Sequence, residues 1–144
     1  MKKVYVATSL LNADKAKEVI SRFKAAGIGI TYDWTVHGKL TDPAELKEAG
    51  RLEANGVFDA DLVFMIQPAR TGAHVEMGIA IGINMVNEFW LQCNMVVSDA
   101  PHNQENSDKT NKAILPVILV EDGNSEDKTF YHMDCITKFQ DLDT

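Results

Sequence analysis

Five consecutive apolar residues, Leu62–Ile66, stand near the middle of the chain between a polar turn and a proline-containing loop. A continuous apolar run of this length is typical of a strand that is buried on both faces. Residues 4–7 and 114–120 form two further apolar runs of similar character. Because such strands occur in parallel sheets that are covered by helices, these runs predict an α/β fold.

Helical signals fall between the predicted strands. One set of apolar residues recurs at the spacing of a helix face and is followed by a glycine at the C′ position: Ala16, Val19, Ile20, Phe23 and Gly27. Residues 42–45, Asp-Pro-Ala-Glu, place an acidic cap before a proline, which predicts a second helix that ends at residues 55–56. A third helix is predicted from residue 73 to about residue 89.

The segments that remain complete the predicted sheet. Residues 28–34 are a predicted strand, and residues 129–139 are a predicted strand or a strand with a turn. The run 114–120 either lies near the sheet edge or begins after its proline. Residues 95–97 are predicted as a short strand within a loop insertion at about 87–112. The sequence thus predicts one domain over residues 1–144, with a doubly wound, mostly parallel sheet of the Rossmann or flavodoxin-like kind and helices on both faces.

Composition excludes several classes of protein. The 144 residues carry a net charge of −7 with no stripe of Lys and Arg, so a nucleic-acid polymer is not an expected partner. No apolar run approaches the ~20 residues of a membrane span, and no signal-peptide pattern opens the chain. The two cysteines, Cys93 and Cys135, form no C-x-x-C pair, which is typical of a reducing compartment. We therefore expect a cytoplasmic protein without membrane contact.

Glu76 interrupts an otherwise apolar, glycine-spaced segment, residues 72–82. A charged glutamate is rarely buried unless something compensates it. The predicted helix begins around residues 71–72, so its free N–H groups and positive dipole end lie close by. This setting predicts an ionised carboxylate in a crevice at the carboxyl end of a strand. The alternative is a solvated side chain on the helix rim that pairs with Arg70.

The sequence resembles the nucleoside 2-deoxyribosyltransferase family and its nucleotide N-hydrolase relatives. The matching segments follow in order along nearly the whole chain: Lys3-Val4-Tyr5-Val6-Ala7-Thr8-Ser9, Tyr32-Asp33-Trp34, Ala60-Asp61-Leu62-Val63-Phe64-Met65, Gly72-x-x-x-Glu76-x-Gly78-x-Ala80 and Phe130-Tyr131-His132. The resemblance implies that Glu76 attacks the anomeric carbon of a 2′-deoxynucleoside or its 5′-monophosphate and forms a covalent deoxyribosyl-enzyme ester. A second base or water then takes the sugar, as in retaining glycoside chemistry.

The resemblance also assigns residues around Glu76. It places Asp61 near the departing base, where the alternative is a loop aspartate that caps a turn. It places Tyr5, Thr8 and Ser9 at the sugar and base, where a core tyrosine is the alternative for Tyr5. Trp34 either stacks on the nucleobase or packs at a strand end.

Arg70 departs from the family pattern. The transferases carry an aspartate at this position and the nucleotide hydrolases a serine, whereas an arginine can pair with a 5′-phosphate through its planar fork. Arg70, Thr71 and Gly72 are therefore expected to face the 5′ group, although Arg70 is alternatively an exposed loop residue or the partner of Glu76.

The resemblance implies neither a metal nor an organic cofactor, and it implies a homodimer or higher homo-oligomer in which a neighbouring subunit completes each site. A non-catalytic module that binds or senses a nucleotide is the alternative function. The sequence His74-Val75-Glu76 matches the opening of the zinc deaminase signature, but the required P-C-x-x-C is absent from the chain. No dinucleotide-binding, P-loop or G-x-S-x-G motif is present either.

Overall fold

A computed structural model describes residues 2–96, 115–120 and 136–139 of the protein. These residues contain five strands: β1 (Lys3–Ala7), β2 (Gly29–Ile30), β3 (Leu62–Ile66), β4 (Val117–Val120) and β5 (Ile136–Phe139). They also contain three α-helices: α1 (Ala13–Ala25), α2 (Pro43–Asp59) and α3 (Thr71–Val96). Two short 3₁₀ helices span Leu10–Asn12 and Trp34–Val36.

The described strands form one sheet in the order β2-β1-β3-β4-β5, and every pairing is parallel. This is the flavodoxin-like strand order of doubly wound folds. The chain leaves β1 toward one edge of the sheet and returns through α2 to enter β3 on the other side of β1. The predicted α/β fold with a parallel sheet is confirmed.

Helices cover both faces of the sheet. On one face, α1 packs against alternate residues of β1 and β3: Val4, Val6, Phe64 and Ile66. On the other face, α2 and α3 pack against the intervening residues: Tyr5, Ala7, Val63 and Met65. Successive strand residues point to opposite faces, so both sides of these apolar strands are buried.

Several helix signals in the sequence act as predicted. The carboxylate of Asp42 accepts hydrogen bonds from the backbone N–H groups of Ala44 (2.9 Å) and Glu45 (3.0 Å) at the start of α2. Gly27 follows α1 with a φ of 75°, a conformation in which an L side chain is strained.

Three predicted element bounds are wrong. The predicted strand 28–34 contains only the two residues of β2, because the Trp34 indole donates a hydrogen bond to the carbonyl of Val6 (2.8 Å) and the chain turns there into a 3₁₀ helix. Helix α2 does not end at residues 55–56 but continues to Asp59. Helix α3 continues to Val96, so residues 87–96 are helical and belong to no loop or strand.

Strand β4 begins directly after Pro116, as one of the two alternatives predicted, and it lies between β3 and β5. The remainder of the predicted insertion (97–112), residues 129–135 of the predicted last strand, and Cys135 lie outside the described residues. Within the residues described, none of the helices has the length and apolarity needed to cross a membrane.

Candidate active site

The candidate site lies where the carboxyl ends of β1 and β3 meet. The connections from these neighbouring strands leave toward opposite faces of the sheet, which opens a crevice of the kind that binds ligands in doubly wound folds. Thr8 and Ser9 follow β1, and residues 67–70 lead from β3 into the first turn of α3. The sequence therefore brings two loops and one helix N-terminus to a single place.

Glu76 lies in the second turn of α3 and points into the molecule, with 7% of its surface exposed. Its Oε1 accepts a hydrogen bond of 2.5 Å from the hydroxyl of Tyr5, which lies on β1 with no exposed surface. Its Oε2 is buried and has no hydrogen-bond partner among the described residues. Glu76 forms no ion pair with Arg70 in this part of the chain, so the rim alternative is not what the structure shows.

Burial raises the pKa of Glu76 to about 8, although the Tyr5 hydrogen bond acts in the opposite direction. The nearby charge of Glu53 raises the pKa further. The prediction that Glu76 is ionised at neutral pH is thus wrong for this structure, since desolvation outweighs the compensating groups. Burial also raises the pKa of Tyr5 far above its usual value, so this side chain is a neutral hydrogen-bond donor.

A cavity of about 380 Å³, the central pocket, opens beside Glu76. It contains five other residues that the sequence assigned to the site: Thr8, Ser9, Trp34, Arg70 and Gly72. It is closed on the other side by α2 and by the segment before it: Tyr32, His37, Gly38, Lys39, Leu40, Leu46, Ala49, Gly50 and Glu53. The remaining lining residues are Leu10 and Ala73.

The walls of the central pocket near β1 are held by hydrogen bonds to the backbone. The Thr8 hydroxyl donates to the carbonyl of Ile66 (2.8 Å) and thereby joins the ends of β1 and β3. The Trp34 indole Nε1 donates to the carbonyl of Val6 (2.8 Å), so its ring is fixed against the pocket. Trp34 also packs on both apolar clusters of the core. Packing at a strand end is therefore one role of Trp34, and base stacking stays a prediction.

Arg70 is exposed at the mouth of the pocket, and its guanidinium forms no hydrogen bond or ion pair with any other described residue. Gly72 lines the pocket in the first turn of α3. Thr71 is exposed and does not line the pocket, contrary to its predicted place at the 5′ group.

Asp61 lies at the wrong end of the sheet for its predicted role. It precedes β3, and its Oδ2 accepts a hydrogen bond of 2.8 Å from the backbone N–H of Lys3 at the start of β1. The strand separates it from Gln67, at the site end, by roughly 20 Å. The structure therefore corrects the assignment of Asp61 to base departure and shows that the residue caps the amino ends of β1 and β3. Tyr5 is corrected as well, because it contacts Glu76 and does not line the pocket.

Glu53 is the carboxylate that sequence reasoning missed. It lies on α2, lines the central pocket and is close enough to influence the pKa of Glu76. Burial raises its own pKa above the usual value. The available signal was the spacing of Leu46, Ala49, Gly50 and Glu53, which form one helix face with small residues beside an acidic one.

Gly56 allows both tyrosines of the site to approach α2. A Cβ at this position would lie 2.9 Å from the Tyr32 Cβ and 2.9 Å from two ring carbons of Tyr5. Side chains larger than hydrogen are therefore excluded unless the tyrosines move. No group of three or more His, Cys, Asp or Glu side chains suited to a metal ion occurs within the described parts of the chain.

The fold is similar to that of a known N-glycosidase. The solved structure of the CMP N-glycosidase BcmB from Clostridium botulinum matches this chain with a TM-score of 0.52 at 14% sequence identity. The match covers 96% of this chain and 87% of that chain. At this identity the likeness shows a shared fold. No protein-family model matches the sequence, and no curated protein gives a significant match.

Proposed function

We propose that this protein cleaves the N-glycosidic bond of a nucleoside 5′-monophosphate, with Glu76 as the nucleophile. The observation that carries the proposal is the buried Glu76, whose Oε1 is held by Tyr5 while Oε2 is without a partner among the described residues, beside a cavity of about 380 Å³. A fixed carboxylate with one uncommitted oxygen is suited to covalent catalysis. The shared fold with an enzyme that acts on CMP supports the same choice of bond.

The nucleophile is the ionised form of Glu76, which is the minor form at neutral pH because its pKa is about 8, so the rate is expected to rise with pH up to that value. In the first step, Oε2 of this form bonds to C1′ as the bond from C1′ to the base nitrogen breaks. The electron pair of the broken bond goes to the base, which takes a proton from the carboxylic acid of Glu53. In the second step, water attacks C1′, gives its proton to Glu53 and releases Glu76 from the sugar ester. This is the double displacement of a retaining glycosidase, in which two carboxyl groups take these two roles.

The electrostatics of the central pocket favour a phosphorylated substrate. The pocket contains Arg70 and Lys39, and neither cation is paired with a carboxylate among the described residues. Gly72 in the first turn of α3 also brings free backbone N–H groups to the pocket. If the phosphate of a nucleotide binds at the Arg70 end, its sugar lies near Glu76 and its base lies toward α2.

The test is incubation of the pure protein with each ribo- and 2′-deoxynucleoside 5′-monophosphate and each parent nucleoside, with chromatography of the free base and the sugar. We expect base release from a monophosphate, and loss of roughly 10³-fold or more in Glu76→Gln. Glu88→Gln, an exposed position on the same helix, is the matched control and should retain activity. Unchanged turnover in Glu76→Gln would refute the nucleophile assignment.

The covalent intermediate can be detected separately from turnover, by the mass of the intact protein. A slow 2′-fluoro nucleotide should add the mass of its sugar phosphate to the intact wild-type chain and nothing to Glu76→Gln. Addition of a second free base then separates transfer from hydrolysis, because a transferase forms a new nucleotide. Tight binding of a monophosphate without release of any base would favour the alternative, a non-catalytic nucleotide-binding module.

We also propose that the protein is a homodimer or higher homo-oligomer. Three residues of α3 leave large apolar side chains at the surface, Val75 at 58%, Met85 at 61% and Val86 at 55% exposure. Their spacing puts them on one side of the helix together with Gly78 and Gly82, where an added Cβ would meet no atom within 4 Å. Association with a second copy would bury this surface, and sedimentation velocity measures it directly.

A further inference from the structure

A second cavity adjoins the central pocket and has no part in the mechanism above. This distal pocket, also about 380 Å³, is lined by Tyr32, His37, Leu40, Ala44, Glu45, Glu48, Ala49 and Leu52. Four of these residues also line the central pocket: Tyr32, His37, Leu40 and Ala49. The two cavities therefore share a wall and lie side by side.

Helix α2 explains why the cavities are neighbours. Residues 46, 49, 50 and 53 line the central pocket, whereas residues 45, 48, 49 and 52 line the distal pocket. Both sets have the spacing of a helix face, and they are displaced by one residue, so they form adjacent stripes that meet at Ala49. None of the residues that line the distal pocket comes from the Glu76 or Arg70 end of the site.

The chemistry of the distal pocket differs from that of the phosphate end. Leu40, Ala44, Ala49 and Leu52 supply apolar surface. The charged lining residues are Glu45 and Glu48, and no Lys or Arg among the described residues lines the pocket. A phosphate is disfavoured there, and an uncharged apolar group is favoured.

The wall between the two cavities carries an unsatisfied polar atom. The Tyr32 hydroxyl is buried and has no hydrogen-bond partner among the described residues. Its ring stacks on His37, with the ring centroids 6.1 Å apart. The hydroxyl has almost no accessible surface in this structure, so a ligand's hydrogen-bonding group would reach it only after a shift of the Tyr32 side chain. The paired rings give a flat apolar surface at this wall without such a shift.

We propose that the distal pocket binds an apolar substituent carried by the exocyclic position of the nucleobase, and that the preferred substrate is a base-modified nucleoside 5′-monophosphate. This inference rests on the proposed function, because that function places the base between Glu76 and α2. The phosphate then lies with Arg70, the sugar with Glu76, the base edge with Tyr32, and the substituent beyond Ala49. The unmodified nucleotide would leave the distal pocket empty.

The test compares CMP with N4-benzyl-CMP by calorimetric titration of Glu76→Gln protein, which separates binding from turnover. We expect the benzyl compound to bind about ten- to one-hundred-fold more tightly, as burial of one aromatic group predicts. Ala44→Trp should abolish this preference by filling the distal pocket. Ala44 lines the distal pocket but not the central pocket, so the central pocket stays open. Ala44 is exposed in the first turn of α2, so the larger side chain does not disturb the core.

Lys47→Trp is the matched control, since Lys47 lies exposed on the same helix and lines neither pocket. Equal affinity for the two nucleotides, absence of benzyl-CMP binding, or the same loss in both tryptophan variants overturns the subsite. Hydrolysis of CMP by the wild type together with any of these results would leave the proposed function intact. A benzyl preference that only Ala44→Trp removes supports the subsite even if no nucleotide is cleaved.

Discussion

Two tyrosines of the site differ in how their hydroxyl groups are satisfied. Tyr5 donates a 2.5 Å hydrogen bond to Glu76, whereas the Tyr32 hydroxyl has no partner within the described residues. Removal of a hydroxyl therefore has opposite consequences at the two positions. At Tyr5 it leaves a buried carboxyl oxygen unsatisfied, and at Tyr32 it removes a buried polar atom that was already unsatisfied.

We expect Tyr5→Phe to lower the free energy of unfolding by about 1 to 3 kcal/mol. Tyr32→Phe, the matched control, should leave stability unchanged or raise it slightly. Urea unfolding of the two variants and the wild type at one pH measures both effects. Equal losses in the two variants would contradict the assigned hydrogen bond. The Tyr5 variant should also raise the pKa of Glu76 further, because the hydrogen bond lowers that pKa in the wild type.

Helix α2 contains two glycines whose surroundings differ. A Cβ at Gly56 would lie 2.9 Å from side-chain carbons of Tyr5 and Tyr32, whereas a Cβ at Gly50 would meet nothing within 4 Å. Glycine is a poor helix former, so its presence at position 56 has a packing reason. The close approach brings the Tyr5 ring and the Tyr32 Cβ against the helix.

Gly56→Ala should therefore destabilise the protein by about 1 to 3 kcal/mol, because the new methyl group displaces the Tyr5 ring, the Tyr32 Cβ or both. Gly50→Ala should stabilise the same helix by up to about 1 kcal/mol, the usual gain over glycine. Thermal unfolding followed by circular dichroism measures the loss of stability in Gly56→Ala and the gain in Gly50→Ala relative to the wild type. A gain in stability at both positions would show that the rings accommodate the methyl group.

The elements were predictable wherever a local signal decides the structure. The continuous apolar run Leu62–Ile66 predicted a strand buried on both faces, and helices cover both of its faces in the structure. The acidic cap Asp42 predicted the start of α2, and its oxygen accepts hydrogen bonds from two backbone N–H groups there. Residues 28–34 have strand-like composition, yet Trp34 turns away to bond to the carbonyl of Val6. The two residues are 28 positions apart in the sequence, so no local pattern indicates that the strand ends here.

The same distinction holds for the site. Glu76 was identifiable because an acidic residue stands out in an apolar helix. Glu53 was missed although its helix-face spacing with small residues was a signal, because a glutamate on a polar helix is ordinarily a solvated residue. Asp61 was misassigned because the resemblance was followed against the residue's position: Asp61 directly precedes the predicted strand, at its amino end, whereas sites of parallel sheets lie at the carboxyl ends.

The carboxyl of Glu76 links the stability of the whole molecule to pH. Its pKa is about 8 in the folded protein, above the ordinary value of 4.5, so between these pH values the folded state binds more protons than the unfolded state. The stability that this group contributes is fully present below pH 4.5 and is lost as the pH rises through 8.

Glu76→Gln has no such proton to lose. The wild type should lose stability between roughly pH 5 and pH 9, and the variant should not. The free energy of unfolding of the variant minus that of the wild type should therefore rise by at least about 1 kcal/mol over this range, because one pKa unit corresponds to about 1.4 kcal/mol. Urea titrations at the two pH values measure the difference, and Glu88→Gln, exposed on the same helix, should follow the wild type. Parallel pH dependence of the wild type and Glu76→Gln would mean that the buried carboxyl does not titrate in this range.

The indole of Trp34 is pinned to the backbone at a wall of the central pocket, and the chain contains one other tryptophan, Trp90. Replacement of Trp90 by Phe would leave Trp34 as the single tryptophan, whose fluorescence, excited where tyrosine does not absorb, depends on whether water or a ligand touches the ring. Trp34 thus provides an optical reporter of pocket occupancy, with which the proposed binding of a nucleotide can be tested without a label or a coupled assay.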